Sequence, residues 1–494
     1  MYTLGYDLGS SSIKVALVAI ASGKSLAVIS EPKTEMDMLS LNKGWAEQDP
    51  EDWWAHICNA TKKLLKETGV NPGKIKGIGI SYQMHGLVLV DKHGIPLRKS
   101  IIWCDGRAVD IGRKAFDDLG HDTCAQKLLN SPANFTASKL KWVKENEPEL
   151  YKNSFKAMLP GDYIAYKLSG KVNTTISGLS EGIFWDFEEE QISSWLLDYY
   201  DLNEELLPEI VATFSDQGQI SVNGARETGL AEGTPILYRA GDQPNNALSL
   251  NVFNPGEVAV SGGTSGVVYA ITEKLSVKEC SRVNNFAHVN YSPRSRRIGK
   301  LLCVNGAGIM YRWILNNLKV ESYQEMNELA ANVPIGSEGV IILPFGNGPE
   351  RMLDNKDLGA QIGNINLNIH SRAHLCRAAL EGIAFSFVYG MEILKADGIK
   401  SKVIRAANDN LFRSPVFSNT IASLIDQEIE IYNTTGAIGA ARACMLHEGN
   451  WEAFGRQIMD NDYVKSYSPS SEKKEYKMAY KLWKNQLEIT LKDN

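Results

Sequence analysis

Asp7 ends a short apolar run and is followed by Gly9, Ser10, Ser11 and Ser12, then by Lys14 and a second apolar run. That order reads as two strands joined by a tight turn. Gly9 lets backbone come close to a ligand, and the hydroxyls and amides gathered in such a turn can wrap a phosphate. Asp7 repels a phosphate directly, but it can hold a Mg2+ ion or its water shell between the two anions. An ordinary serine-rich hairpin would carry the same residues, so this segment alone leaves both readings open. The stretch from Val258 to Ala270 repeats the grammar, with Gly263, Thr264 and Ser265 between strand-like runs. Two phosphate-type hairpins, one in each half, predict an internally duplicated protein that clamps a nucleotide between its halves.

Further candidates stand at strand ends. Asp242 follows the buried run 235–240 and Gly241, at the carboxyl end, where ligand sites form in α/β sheets. It reads either as a turn aspartate or as a general base, already ionised at neutral pH if its carboxyl keeps the usual value. Met84 and His85 follow the run 76–81; such residues serve as core filler and a satisfied histidine as readily as they line a site. His370 and His374 have helical spacing, but residue 371 is serine rather than glutamate, which argues against a metal site. Ala21-Ser22-Gly23-Lys24-Ser25 imitates the end of a P-loop, yet position 18 is Val18 where the first glycine is required, so it reads as a turn.

The elements that must position these residues alternate between strand and helix throughout, which is the pattern of layered α/β folds. Strands are expected near 2–8, 13–20 and 25–31, and a helix opens at Asp49-Pro50-Glu51-Asp52 and stops at Gly69. Later strands are expected at 340–344 and 402–406, with helices near 371–397, 413–426 and 472–494. A small-residue helix start at 436–443 suits close packing or a nucleotide. With 494 residues the chain is long enough for two large domains, expected at 1–245 and 246–494. A net charge of −6 argues against a nucleic-acid partner. The basic cluster Arg294, Arg296, Arg297 and Lys300 is expected to be a solvated hairpin tip. No apolar run approaches membrane-spanning length, and a strand at the first residues leaves no signal peptide to expect. Seven cysteines with no Cys-x-x-Cys fit the reduced thiols of a cytoplasmic protein.

With these segments in place the chain resembles the FGGY carbohydrate kinases of the actin–hexokinase–chaperone superfamily, collinearly over nearly its whole length. The carrying residues are Asp7-Leu8-Gly9-Ser10-Ser11, Trp45-Ala46-Glu47-Gln48-Asp49-Pro50, Gln83-Met84-His85-Gly86, Trp103-Cys104-Asp105-Gly106-Arg107, Phe135-Thr136-Ala137-Ser138-Lys139, Gly241-Asp242-Gln243 and Gly263-Thr264-Ser265-Gly266. Gln-Met-His-Gly discriminates best and is similar to the xylulokinase branch.

The resemblance implies two ribonuclease-H-like (actin–hexokinase-type) domains with an interdomain cleft, ATP and Mg2+ as cosubstrates, and phosphoryl transfer to the 5-hydroxyl of D-xylulose or a similar ketose. Many relatives are homodimers. It implies Asp242 as catalytic base and metal neighbour, and Asp7 as the Mg2+ anchor. Met84, His85, Asp242, Gln243, Trp103 and Asp105 would line the sugar site. Gly9, Ser10, Ser11, Lys14, Gly263, Thr264, Ser265, Ala407 and Asn408 would hold ATP. The pattern departs in three places: Gln243 replaces an asparagine, Arg405-Ala406-Ala407-Asn408 replaces a glycine-rich adenosine loop, and only Glu350-Arg351 survives of a Gly-Glu-Arg-Thr-Pro segment. The first leaves ribulose, gluconate or a deoxypentulose open as substrate. The second is the one feature favouring a catalytically silent ATP-binding relative.

Overall fold

A computed structural model describes residues 1–493. The first half is built on a five-stranded sheet of β1 (Tyr2–Leu8), β2 (Ile13–Ala19), β3 (Ser25–Glu31), β4 (Ile75–Tyr82) and β5 (Ile236–Gly241), in the spatial order β5-β4-β1-β2-β3. The first three strands run antiparallel, whereas β4 and β5 run parallel to β1. The helix α1 (Pro50–Thr68) is set by local chemistry. Asp49 accepts the Glu51 N–H, proline occupies a position that needs no donor, and Gly69 ends the helix at φ 63°.

The second half repeats the plan. Its strands β6 (Glu257–Gly262), β7 (Gly266–Thr272), β8 (Asn284–Ala287), β9 (Ile298–Val304), β10 (Val403–Ala407), β11 (Ile429–Tyr432) and β12 (Tyr463–Tyr467) lie in the order β8-β9-β7-β6-β10-β11-β12. Without the edge strands β8 and β12, the order β9-β7-β6-β10-β11 matches that of the first sheet, with the same two parallel pairings. The duplication expected from the two hairpins is therefore a duplication of whole sheets.

The helices that follow β5 and β11, α2 (Asp242–Ser249) and α3 (Gly436–Ala443), pack against each other. A Cβ on Gly439 would lie 1.6 Å from Ser249 Oγ, and Asn245 Nδ2 donates to the Gly436 carbonyl at 3.0 Å. α3 presses onto the first sheet through glycines: Cβ atoms on Gly5 and Gly79 would fall 2.0 and 1.9 Å from the carbonyls of Ala437 and Ala440. Of the two uses open to the small-residue segment, its alanines and Gly439 serve close packing. A second weld joins the halves at β8. Asn130 and Asn285 exchange amide hydrogen bonds, and Ser177 and Ser180 bond the Ala287 backbone.

Two expectations fail. Lys300 is buried, pairing with Asp397 and donating to Asn285 Oδ1 at 3.0 Å, so the basic cluster is not wholly solvated. The strand expected at 402–406 forms as β10, so the reading of Arg405, Ala406 and Ala407 as part of an adenosine loop fails, and Ala406 is fully buried. Its methyl group faces the core, where it does not restrict a ligand. Among the described residues no helix is long and apolar enough to cross a membrane.

Candidate active site

Both acids stand at the carboxyl end of the first sheet, one on either side of β4. Asp7 is in register with Ser81 of β4 and Lys14 of β2. Ser81 Oγ donates to Asp7 Oδ1 at 2.9 Å, and Lys14 shares a sheet face with Asp7 because they are direct cross-strand partners. Gly436 lies against the other oxygen: a Cβ there would meet Asp7 Oδ2 at 2.7 Å.

Asp242 is the first residue of α2, immediately after β5. Burial, and then the charge of Asp7, push its carboxyl up to about 7, against hydrogen bonds from Gln243 and the helix terminus that favour the ionised form. The expectation of a carboxyl at its usual value is corrected: in the free protein Asp242 is poised near neutrality. It stays partly open to solvent, as does Gln243.

The first hairpin closes at the Leu8–Ile13 pair, with the Gly9 N–H donating to the Ser12 carbonyl at 3.1 Å. Ser11 is exposed at its tip. Gln48 Nε2 holds the Ser10 carbonyl at 2.7 Å, and the half-exposed Trp103 donates its indole N–H to Ser10 Oγ at 3.3 Å. The second hairpin closes at Gly262–Gly266, leaving Gly263 and Thr264 exposed. The helix beginning at Ala307 abuts it: the Ile309 N–H donates to the Thr264 carbonyl, and only a residue without a side chain fits at Gly308, where a Cβ would meet the Gly263 carbonyl at 1.9 Å. Gly266 pairs with Val304, next to Cys303. Burial raises the Cys303 thiol to about 11, and the charge of Asp242 adds to the rise. Cys303, on the strand that pairs with the hairpin, therefore lies close enough to Asp242 to sense its charge. Ala407 ends β10 and Asn408 follows it, its N–H donating to the Tyr432 carbonyl at 2.8 Å.

His85 has φ 60°, in the left-handed region. Its Nδ1 lies 2.9 Å from the Glu181 carbonyl, which can only accept, so Nδ1 carries the proton and Nε2 is left as an acceptor. Burial holds the imidazole down at about 3, hence neutral. Its ring packs edge-on to Phe135 at 4.9 Å and against Phe286 of β8 at 5.2 Å. Met84 is buried against Gly241, where a Cβ would come within 2.6 Å of Met84 Cγ. Asp105 is fully buried, its oxygens taken by the Ala46 N–H and by Arg107. It therefore supports the wall that carries Trp103 and does not face a ligand.

Sequence reasoning missed three residues. Lys139 is fully buried and donates to the carbonyls of His85 and Ile102 at 2.8 and 2.9 Å, tying the loop after β4 to the Trp103 loop; burial lowers its amine to about 7. Glu181 is buried beside Tyr82, Met84 and His85, and burial drives its carboxyl well above the usual range. Arg351 reaches over Phe135 from the second half. Lys139 and Arg351 lie inside quoted motifs, but only the fold brings either to His85.

The repeated sheets, the two helices packed between them and the pair of acids define a two-lobed protein of the actin–hexokinase class. The model of the FGGY family of carbohydrate kinases, N-terminal domain, matches residues 2–249, and that of its C-terminal domain matches 258–447. The chain belongs to the FGGY family of carbohydrate kinases. It is 29% identical over 497 residues to the xylulose kinase of Haemophilus influenzae, covering 97% of each chain. Its fold superposes on the xylulose kinase of Rhodospirillum rubrum with a TM-score of 0.87 (23% identity, 99% of each chain). It superposes on the gluconate kinase of Lactobacillus acidophilus with a TM-score of 0.89 (21% identity, 99% and 98% of the chains). The fold therefore accommodates relatives named for different sugars, and the choice among sugars lies in side chains.

Proposed function

We propose that this sugar kinase transfers the γ-phosphoryl group of ATP to O5 of D-xylulose, giving D-xylulose 5-phosphate and ADP. The observation that carries the reading is Asp242: a carboxyl at the carboxyl end of the first sheet, held near neutrality by burial and by Asp7. In its ionised form it orients the sugar hydroxyl and takes its proton late, as a loose phosphoryl-transfer transition state requires. His85 Nε2 accepts a second sugar hydroxyl, Met84 lines the apolar side, and Gln243 holds Asp242 and a further hydroxyl. Ser10, Ser11, Lys14, Gly263, Thr264 and Ser265 cradle the phosphates from both lobes, and Ala407 and Asn408 flank the adenosine.

Mg2+ fits this arrangement. Asp7 has no cation within ion-pair distance among the described residues, it lies close enough to Asp242 to raise that carboxyl, and Gly436 sets no side chain against its Oδ2. No group of three or more His, Cys, Asp or Glu side chains is arranged to cage a metal among the described residues, so Asp7 would hold the ion through water while the phosphates complete its shell. Bound there, it would supply charge neutralisation to the transferring phosphoryl group.

The test is a coupled ADP-release assay with D-xylulose, ribulose, gluconate and deoxypentuloses, each with Mg2+ and ATP. D-xylulose should give the highest kcat/KM and should strongly raise a weak sugar-independent ATPase. Turnover of another sugar in preference refutes the substrate. Turnover of none, together with ATP-dependent polymerisation or peptide binding, refutes the kinase reading altogether.

A further inference from the structure

Among the described residues, Arg351 is the one side chain of the second half whose cation reaches the aromatic wall around His85. It begins the short helical turn Arg351–Leu353, held in place by its neighbour: the Glu350 carboxylate accepts the backbone N–H groups of Asn305 and Gly306 at 3.0 and 2.9 Å. From that anchor the guanidinium extends over the Phe135 ring, 5.8 Å from its centroid, and its charge bears on His85 and Cys303, the latter also sensing Asp242. Its one protein hydrogen bond is long, Nη2 to the Cys280 carbonyl at 3.3 Å. Nε is buried with no partner, and no carboxylate lies within ion-pair distance among the described residues.

A guanidinium presents five donors in a rigid fork, and a buried one is ordinarily met by a carboxylate or by several acceptors. Here the protein supplies a single long bond. The neighbouring groups do not compensate it: His85 is neutral, and Glu350 spends its oxygens on backbone N–H groups. The donors left over point toward a ligand rich in acceptor oxygens.

We propose that Arg351 is a specificity-determining residue, reading the oxygens of the sugar from the second lobe, opposite His85. This rests on the kinase reading above. The ligand class it selects is a ketose or aldonate, whose carbonyl or carboxylate oxygens can accept from the fork. A plain polyol offers only hydroxyls and is taken less well. Because Arg351 and His85 come from different halves, a sugar bonded to both also bridges the lobes.

The experiment compares wild type, Arg351→Lys and Arg351→Met with D-xylulose, gluconate and D-arabinitol as probes, recording KM for each sugar and for ATP, with thermal unfolding in parallel. Arg351→Met should raise KM for the preferred carbonyl- or carboxyl-bearing sugar at least tenfold, erase the preference over arabinitol, and leave KM for ATP within about twofold. Arg351→Lys, which keeps the charge and loses the fork, should recover part of the affinity. A folded Arg351→Met that keeps the wild-type sugar KM and preference overturns the proposal. So does an equal rise in the KM values of sugar and ATP, because that marks a general loosening. If Arg351→Met does not fold, Arg351→Lys alone decides: unchanged KM and preference overturn the role, and a selective rise supports it. Failure of the kinase reading shows separately, as absence of turnover in wild type with every sugar.

Discussion

Replacing Asp242 by asparagine should stabilise the protein while disabling it, and the two effects have one source. In the unfolded chain the carboxyl titrates near 3.8; in the folded protein burial and Asp7 hold it at about 7. Between those values the folded state keeps a proton that the unfolded state has lost. Stability contributed by this group is therefore highest below pH 4, falls as pH rises toward 7, and is lowest above it. The separation corresponds to roughly 4 kcal/mol as an upper bound. Because Asp242 is partly open to water, solvent screening reduces this to about 1–2 kcal/mol. Asparagine keeps the shape without the charge. Urea denaturation in metal-free buffer should show Asp242→Asn as stable as wild type near pH 4 and about 1–2 kcal/mol more stable at pH 8. Turnover with the preferred sugar should fall by about 10^2–10^4-fold, with sugar binding still measurable. Equal stability at pH 8, or the same difference at both pH values, would refute the electrostatic account. Retention of more than a few percent of turnover would remove Asp242 from the reaction.

Two further outcomes follow from the geometry. His85→Ala should raise the sugar KM about tenfold, the cost of one buried hydrogen bond; because the imidazole sits at about 3, wild-type sugar KM should carry no His85 titration between pH 5 and 7, and a KM inflection there that vanishes in the variant contradicts the neutral assignment. Gly79→Ala places a methyl group 1.9 Å from the Ala440 carbonyl, so thermal unfolding should report a loss of about 3 kcal/mol or more; an unchanged midpoint would mean that α3 does not rest on the first sheet as described.

Much of the fold was legible in the residues because it is written locally. Strands expected at 2–8, 13–20 and 25–31 appear at Tyr2–Leu8, Ile13–Ala19 and Ser25–Glu31, and the helix from Pro50 stops before Gly69. Hydrophobic periodicity, a capping aspartate and a left-handed glycine act over a few residues, so a short window contains their cause. Both glycine–hydroxyl hairpins, Gly9 to Ser12 and Gly263 to Ser265, were visible for the same reason, and their likeness announced the duplication. Lys300 was misjudged because its environment comes from far along the chain: Asp397 lies almost a hundred residues beyond it.

What the amino acids alone determined was which chemical groups exist and which short elements present them: two acids at strand ends, two turns shaped for phosphate, a histidine after a buried strand. Only the tertiary structure decided their states. Asp242 is lifted toward neutrality by burial and then by an acid two strands away, His85 is held neutral by burial, Asp105 is committed to Arg107, and Arg351 crosses from one half to reach Phe135 beside His85. The reason is that solvent exclusion and Coulomb interaction depend on distance through space, and a linear chain specifies that distance only once it has packed.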